Sequence, residues 1–147
     1  MQITSRQNPK IKQTRALQSR KTRQESGLFV VEGIRHVGEA IQTNYPIEHI
    51  IFAPEILRSE FAEEMIDIAH GRGIPVIETT ADIFNTLAEK TGPQGIIAVA
   101  RQTPTPLKSL SPTTHPWLVA TVSPQDPGNL GTILRTIDAV GADGFVI

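Results

Sequence analysis

Asn129 and Arg135 are the residues whose type and spacing best suit chemistry. They flank the start of one helix-like segment behind the turn Asp126-Pro127-Gly128-Asn129-Leu130-Gly131. A guanidinium presents a planar fork of donors that matches phosphate, and an amide can both donate and accept. Arg135 comes six residues after Asn129, ~9 Å further along a helix axis. A helical side chain leans back toward the N-terminus, so this guanidinium can reach the mouth of the turn. Gly128 can adopt φ > 0 and admit a close approach. The helix start adds unpaired N–H groups and the positive end of the dipole. Together these groups suit a phosphate or a ribose-phosphate backbone. They also describe a well-capped helix with one exposed arginine.

The elements that must hold these two residues are legible around them. Trp117 to Val122 is a short apolar run with two valines, bounded by Pro116 and a turn-rich stretch, and reads as a buried strand. Leu130, Ile133, Leu134 and Ile137 fall at i, i+3, i+4 and i+7, which predicts one apolar helix face with Arg135 off it. Asn129 stands where an N-cap belongs and Gly141 where the C′ residue belongs. Gly144 to Ile147 starts a second apolar run. Strand, loop, helix and strand make a βαβ unit, with parallel strands and a right-handed crossover.

A second set of candidates lies at the other end. Residues 1–24 hold Arg6, Lys10, Lys12, Arg15, Arg20, Lys21 and Arg23 and no acidic residue. The other 123 residues then carry seven basic and fifteen acidic side chains, so the overall charge of −1 conceals a basic arm on an acidic body. Asn8-Pro9 can start a helix, with Ile11, Ala16 and Leu17 as a thin apolar stripe amid the cations. The spacing predicts a lightly docked helix that offers its cations to RNA phosphates, or a solvated basic face without a partner.

Between these ends the pattern alternates. Leu28–Val31 reads as a strand, and Ile34 to Thr43 as a helix with Val37, Ala40 and Ile41 inward. Glu32 sits between them, placed to accept N–H bonds at that helix start or to meet the arm or an RNA. His49–Ala53 is a strand, and Ser59–His70 is an amphipathic helix with Phe61, Met65 and Ile68 on one face. Ile74–Ile77 is a strand. Thr79-x-x-Asp82 resembles a capping box for a helix from Ala81 to Glu89. Thr91-Gly92-Pro93-Gln94-Gly95 is a turn before a buried strand at Ile96–Ala100. Alternating strands and helices predict a small α/β sandwich over residues 1–102. Residues 103–115, rich in Pro, Ser and Thr, read as a stiff extended linker to residues 116–147.

Asp126-Pro127-Gly128-Asn129-Leu130-Gly131, then Arg135, then Gly141-Ala142-Asp143-Gly144, resembles the first motif of the SpoU (TrmH-like) family of RNA ribose methyltransferases, knotted Rossmann-like α/β enzymes of the SPOUT class. Ser5-Arg6-Gln7-Asn8-Pro9-Lys10-Ile11-Lys12, Phe29-Val30-Val31-Glu32-Gly33 and Gln94-Gly95 resemble that family's N-terminal, L30e-like substrate-binding domain. The resemblance implies methyl transfer from S-adenosyl-L-methionine to a ribose 2′-hydroxyl of rRNA or tRNA. Arg135 would then be catalytic, with Asn129 beside it, in a homodimer. It also implies that the donor-binding motifs lie C-terminal to Ile147. Residues 116–147 are fewer than a domain needs and end inside an apolar run, so the chain is expected to be a piece of a longer enzyme, inactive alone.

Composition narrows the class further. A hydrophobic share of 39% with 20% charged residues fits a globular protein, and no run of eighteen apolar residues suggests a membrane span. The absence of cysteine removes disulfides and thiolate metal sites and fits a reducing, cytoplasmic setting. The four histidines, 36, 49, 70 and 115, lack metal-ligand spacing. Two other classes stay open: a non-catalytic L30e-like RNA-binding protein, and an α/β enzyme holding a small phosphorylated ligand at Gly128–Gly131.

Overall fold

A computed structural model describes residues 2–89 and 92–147. The chain divides into two compact units, Met1–Thr103 and Pro104–Ile147.

The first unit is built on a five-stranded mixed sheet. Its strands are β1 (Gln2–Ile3), β2 (Leu28–Glu32), β3 (Ile47–Phe52), β4 (Val76–Thr79) and β5 (Ile96–Arg101), in the order β1-β4-β3-β5-β2. β1 and β3 run parallel to β4, while β5 is antiparallel to both β3 and β2. Side chains alternate across a strand, so consecutive residues feed opposite faces. Ile50, Ile96 and Ala98 face one side, with Val37 and Ile41 of α3 (Ile34–Gln42) and Ala62, Met65 and Ala69 of α4 (Glu60–Gly71). Ile51 and Ile97 face the other, with Ile11 of α1 (Pro9–Ala16) and Ile83 and Phe84 of α5 (Ala81–Phe84). The result is a three-layer α/β/α sandwich in which Ile96–Ala100 is buried on both faces.

Several expectations need correction here. The basic arm is two helices, because α1 stops at Ala16 and α2 (Arg20–Ser26) starts anew behind Ser19. Nor is it lightly docked: Ile11 and Leu17 are 0% and 1% exposed. Burying two such side chains is worth about 1.5–3 kcal/mol each. β1 escaped notice because two residues carry no periodicity; the Thr79 hydroxyl fixes it by donating to the Ile3 carbonyl at 2.7 Å. Thr79 is therefore buried in the sheet, and Thr80 is the N-cap of α5. That helix ends at Phe84, and tighter i→i+3 bonds from Thr86 to Ile83 and from Leu87 to Phe84 replace it. β4 starts two residues later than expected, since Pro75 has no N–H for the ladder. Phe61 is 40% exposed and lies over Gly38 of α3 rather than in the core.

Glu32 does not cap α3. Its Oε2 accepts from the Glu89 N–H at 3.0 Å, while the Ile34 N–H at the start of α3 donates to Gln94 Oε1 at 2.9 Å, sixty residues away. The turn expected at Thr91–Gly95 begins outside the described residues; its described part includes Gly95 at φ +79, where a Cβ would come within 2.6 Å of the Leu57 nitrogen. Gln94 and Gly95 thus have packing duties beyond a tight turn.

The second unit holds β6 (Leu118–Ala120), α6 (Pro127–Val140) and β7 (Gly144–Val146). β6 and β7 pair in parallel, as the βαβ reading requires. Before them, Leu107–Ser109 forms a 3-10 turn, so residues 103–115 are not extended throughout. β6 is not buried as expected: Leu118 is 38% exposed, Trp117 51% and Val122 95%.

Candidate functional site

The candidate residues fall in two sets, one in each unit. In the second unit α6 starts a turn earlier than the sequence suggested. Asp126 is the N-cap, Pro127 occupies the first helical position, and Asn129 lies inside the first turn. Asp126 wins because its carboxylate accepts from the N–H groups of both Gly128 and Asn129. Pro127 has no N–H, and Leu130 N–H is bonded to the Asp126 carbonyl at 3.0 Å. The donors expected to attract an anion are therefore already taken, and by a negative group. Gly128 is not among the glycines with positive φ and is helical instead. Gly141 closes the helix in the left-handed region, φ 71 and ψ 31, as expected.

Any affinity for a phosphate here therefore rests on Arg135. The residue is exposed and its side chain does lean back: Nη2 donates to Thr132 Oγ1 at 3.3 Å, and Nη1 lies 3.7 Å from where a Cβ on Gly131 would be. Asn129 is exposed, and its side-chain amide has no partner among the described residues. Leu130, Ile133 and Ile137 turn inward to varying degrees, while Leu134 is 44% exposed.

In the first unit the seven arm cations separate into two groups. Arg15 donates to Thr86 Oγ1 at 2.7 Å, and Arg23 donates to the carbonyls of Leu17 and Gln18, both at 2.8 Å. These two hold the arm to the body and close the break between its helices. Lys21 makes an exposed i,i+4 pair with Glu25 at 3.8 Å, an arrangement worth little. Lys10 is half-buried. Arg6, Lys12 and Arg20 are exposed and have no side-chain partner among the described residues.

One link in the arm was not foreseen. Thr14 and His49 are both buried, with Thr14 Oγ1 3.1 Å from His49 Nε2. The threonine proton is committed to the Lys10 carbonyl at 2.9 Å, so His49 donates and carries its proton on Nε2. Burial, reinforced by the charge of Lys10, lowers the His49 pKa to about 4. A lone histidine in a β-strand gives no sequence signal for such a contact, thirty-five residues away.

Residues 8–98 match the family described as the MRM3-like substrate binding domain. The fold of the chain also matches the SpoU methyltransferase AviRb from Streptomyces viridochromogenes, with a TM-score of 0.75 and 26% identity over 95% of this chain and 51% of that one. The chain belongs to the family of the MRM3-like substrate binding domain. Among curated relatives, the 23S rRNA (guanosine(2553)-2'-O)-methyltransferase RlmP of Bacillus subtilis is 32% identical over 99% of this chain and 54% of its own length. The AdoMet-bound rRNA methyltransferase from Sinorhizobium meliloti gives a TM-score of 0.80 at 32% identity, covering 99% of this chain and 54% of that chain. The chain spans about half the length of the relatives it matches. Among the described residues, no helix is long and apolar enough to cross a membrane.

Proposed function

We propose that this chain supplies the RNA-binding region and first catalytic motif of an enzyme that methylates a ribose 2′-hydroxyl in rRNA or tRNA. Residues 1–102 form the L30e-like RNA-binding domain, 103–115 the connection, and 116–147 the start of the methyltransferase domain. The observation that carries this reading is the geometry of Arg135. It is an exposed guanidinium folded back toward a first turn whose own N–H groups Asp126 has used. Family membership favours this reading over a non-catalytic RNA-binding protein.

S-adenosyl-L-methionine supplies a methyl carbon bonded to a sulfonium. Ligands of parallel α/β sheets bind beyond the carboxyl ends of the strands. Here those ends carry Thr121, Val122, Ser123 and Ile147. Two hydroxyls and two exposed apolar side chains do not suffice for a nucleoside and an aminocarboxylate, so these residues alone do not make a donor site. What this chain's residues do is hold the RNA. The ribose oxygen must lose its proton as it bonds to carbon. A guanidinium is too basic to take that proton easily, so Arg135 clamps the adjoining phosphate and offsets charge building on the oxygen. Asn129, with its free amide, helps orient the ribose. Arg6, Lys12 and Arg20 supply most of the arm's phosphate contacts; Lys10 and Lys21 add to them, while Arg15 and Arg23 chiefly hold the arm in shape.

The active protein is a cytoplasmic homodimer in this reading, and the exposed Leu134, Val140 and Trp117 give it apolar surface to cover. In the full-length protein, Arg135→Ala lowers transfer of a radiolabelled methyl group to RNA by about 10²–10³-fold, as loss of a transition-state donor does. Donor binding by calorimetry stays near wild type. Arg135→Lys recovers little, because a point charge does not replace a planar fork. A wild-type rate in the alanine variant would remove Arg135 from the site.

A further inference from the structure

Viewed down α6, Gly128, Gly131, Thr132 and Arg135 share one ~100° sector, roughly opposite the apolar face of Leu130, Ile133, Leu134 and Ile137. Two of these four residues have no side chain. The guanidinium of Arg135 lies over the bare backbone of Gly131, and the only side-chain atom it touches within hydrogen-bonding distance, among the described residues, is Thr132 Oγ1. That hydroxyl is itself fixed. It donates its proton to the Gly128 carbonyl at 3.0 Å, so its lone pairs are what Arg135 Nη2 meets at 3.3 Å. The chain of contacts runs from the first-turn backbone through Thr132 to the guanidinium.

We propose that Thr132 is the positioning residue for Arg135. Its hydroxyl relays the orientation of the Gly128 carbonyl to the guanidinium and holds it over the glycine face, where an RNA phosphate can reach it. This rests on the methyltransferase reading above. An arginine on an open helix face otherwise samples many rotamers, and holding it in advance lowers the ordering required in the transition state. Thr132 is exposed, so replacing it does not threaten the core. Valine keeps its β-branched shape and helix propensity while removing the hydroxyl.

The test has two arms. In the 147-residue chain, NMR side-chain order parameters of Arg135 fall in Thr132→Val and in Thr132→Ala and are restored in Thr132→Ser. In the full-length protein, Thr132→Val loses kcat by about tenfold, the worth of one hydrogen bond to a charged group, with KM for RNA nearly unchanged, and Thr132→Ser recovers the rate. Unchanged Arg135 order in the valine variant overturns the proposal, as does wild-type kcat despite a freed side chain. A wild-type protein that transfers no methyl group to rRNA or tRNA instead sinks the parent reading, and the NMR arm separates the two failures.

Discussion

β5 and β6 both follow a proline-bearing turn and both read as short apolar strands, yet one is the most buried element of the molecule and the other lies open. Ile96–Ala100 is at most 1% exposed, with helices on both faces and a strand on each edge. Leu118–Ala120 pairs with one strand, and the side chains around it remain 38–95% exposed at Trp117, Leu118 and Val122. Local sequence specifies a strand in each case. Burial depends on how many partner surfaces the rest of the chain brings, and a single βαβ unit brings few. The two candidate residues Arg135 and Asn129 lie exposed in the open unit.

The sharpest way to break this comparison is amide hydrogen exchange on the 147-residue chain. Slow exchange is expected in Leu28–Val31 and Ile96–Ala100, approaching the global stability, typically about 5–15 kcal/mol. Fast exchange is expected in Leu118–Val122 and Leu130–Val140. Equal protection in the two strands of a monomer would show that exposure does not track local stability here.

Point mutation sharpens the same contrast. Ile11→Ala leaves a hole among Ile51, Phe84 and Ile97 and is expected to destabilise the first unit by about 2–5 kcal/mol. Leu134→Ala removes a side chain already 44% exposed, and less than about 1 kcal/mol follows. Urea titrations followed by circular dichroism compare the two; a larger loss from Leu134→Ala would contradict the open description of α6.

These two positions also show what the sequence could and could not disclose. Ile11 and Leu134 both stood out as apolar anchors at helical spacing, but periodicity says which face is apolar and not what covers it. The parallel pairing of β6 with β7 and the Gly141 cap were legible because each is set by residues a few positions apart. The Asp126 cap was misplaced onto Asn129 because both residue types cap well, and only the position of Pro127 at the first helical site decides between them. The Gln94 cap of α3 and the Thr14–His49 bond were out of reach because their partners lie sixty and thirty-five residues away. In α6, Arg135 stands out by type and spacing, and its lean back toward the first turn follows from helix geometry. Thr132, three residues before it on the same face, carried only the i,i+3 signal that any helix surface carries.

His49 gives the closed unit a pH dependence. Its folded pKa is lowered to about 4 from an ordinary 6.5. Between those values the unfolded chain binds a proton that the native chain refuses. The contribution is therefore complete above pH 6.5 and is lost as pH falls toward 4, by about 3 kcal/mol. Acid should loosen α1 first, because Thr14 is the partner of that ring. His49→Leu removes the titration, so the stability gap between variant and wild type should move in the variant's favour by about that amount from pH 7 to pH 4. A gap that stays constant with pH would mean His49 is not held neutral.

The smallest expected effect separates arm cations bonded within the fold from those proposed to meet RNA. Each phosphate neutralised by a lysine or arginine releases counterions, so losing one contact shallows the slope of log K against log salt by ~0.7–0.9. Arg6, Lys12 and Arg20 are exposed without a side-chain partner among the described residues, whereas Arg15 and Arg23 are spent on Thr86, Leu17 and Gln18. A filter-binding titration of the 147-residue chain with structured RNA should therefore lose about 2 in slope when the first three become alanine, at ~0.7–0.9 apiece. Arg15→Ala and Arg23→Ala should change the slope little and lower the melting temperature instead, since each breaks hydrogen bonds within the fold. If the slope falls equally for both sets, then Arg15 and Arg23 leave their partners when RNA arrives, and the arm is reshaped by its substrate. If it falls for neither, the basic arm is a solvated surface and the RNA is held elsewhere on the closed unit.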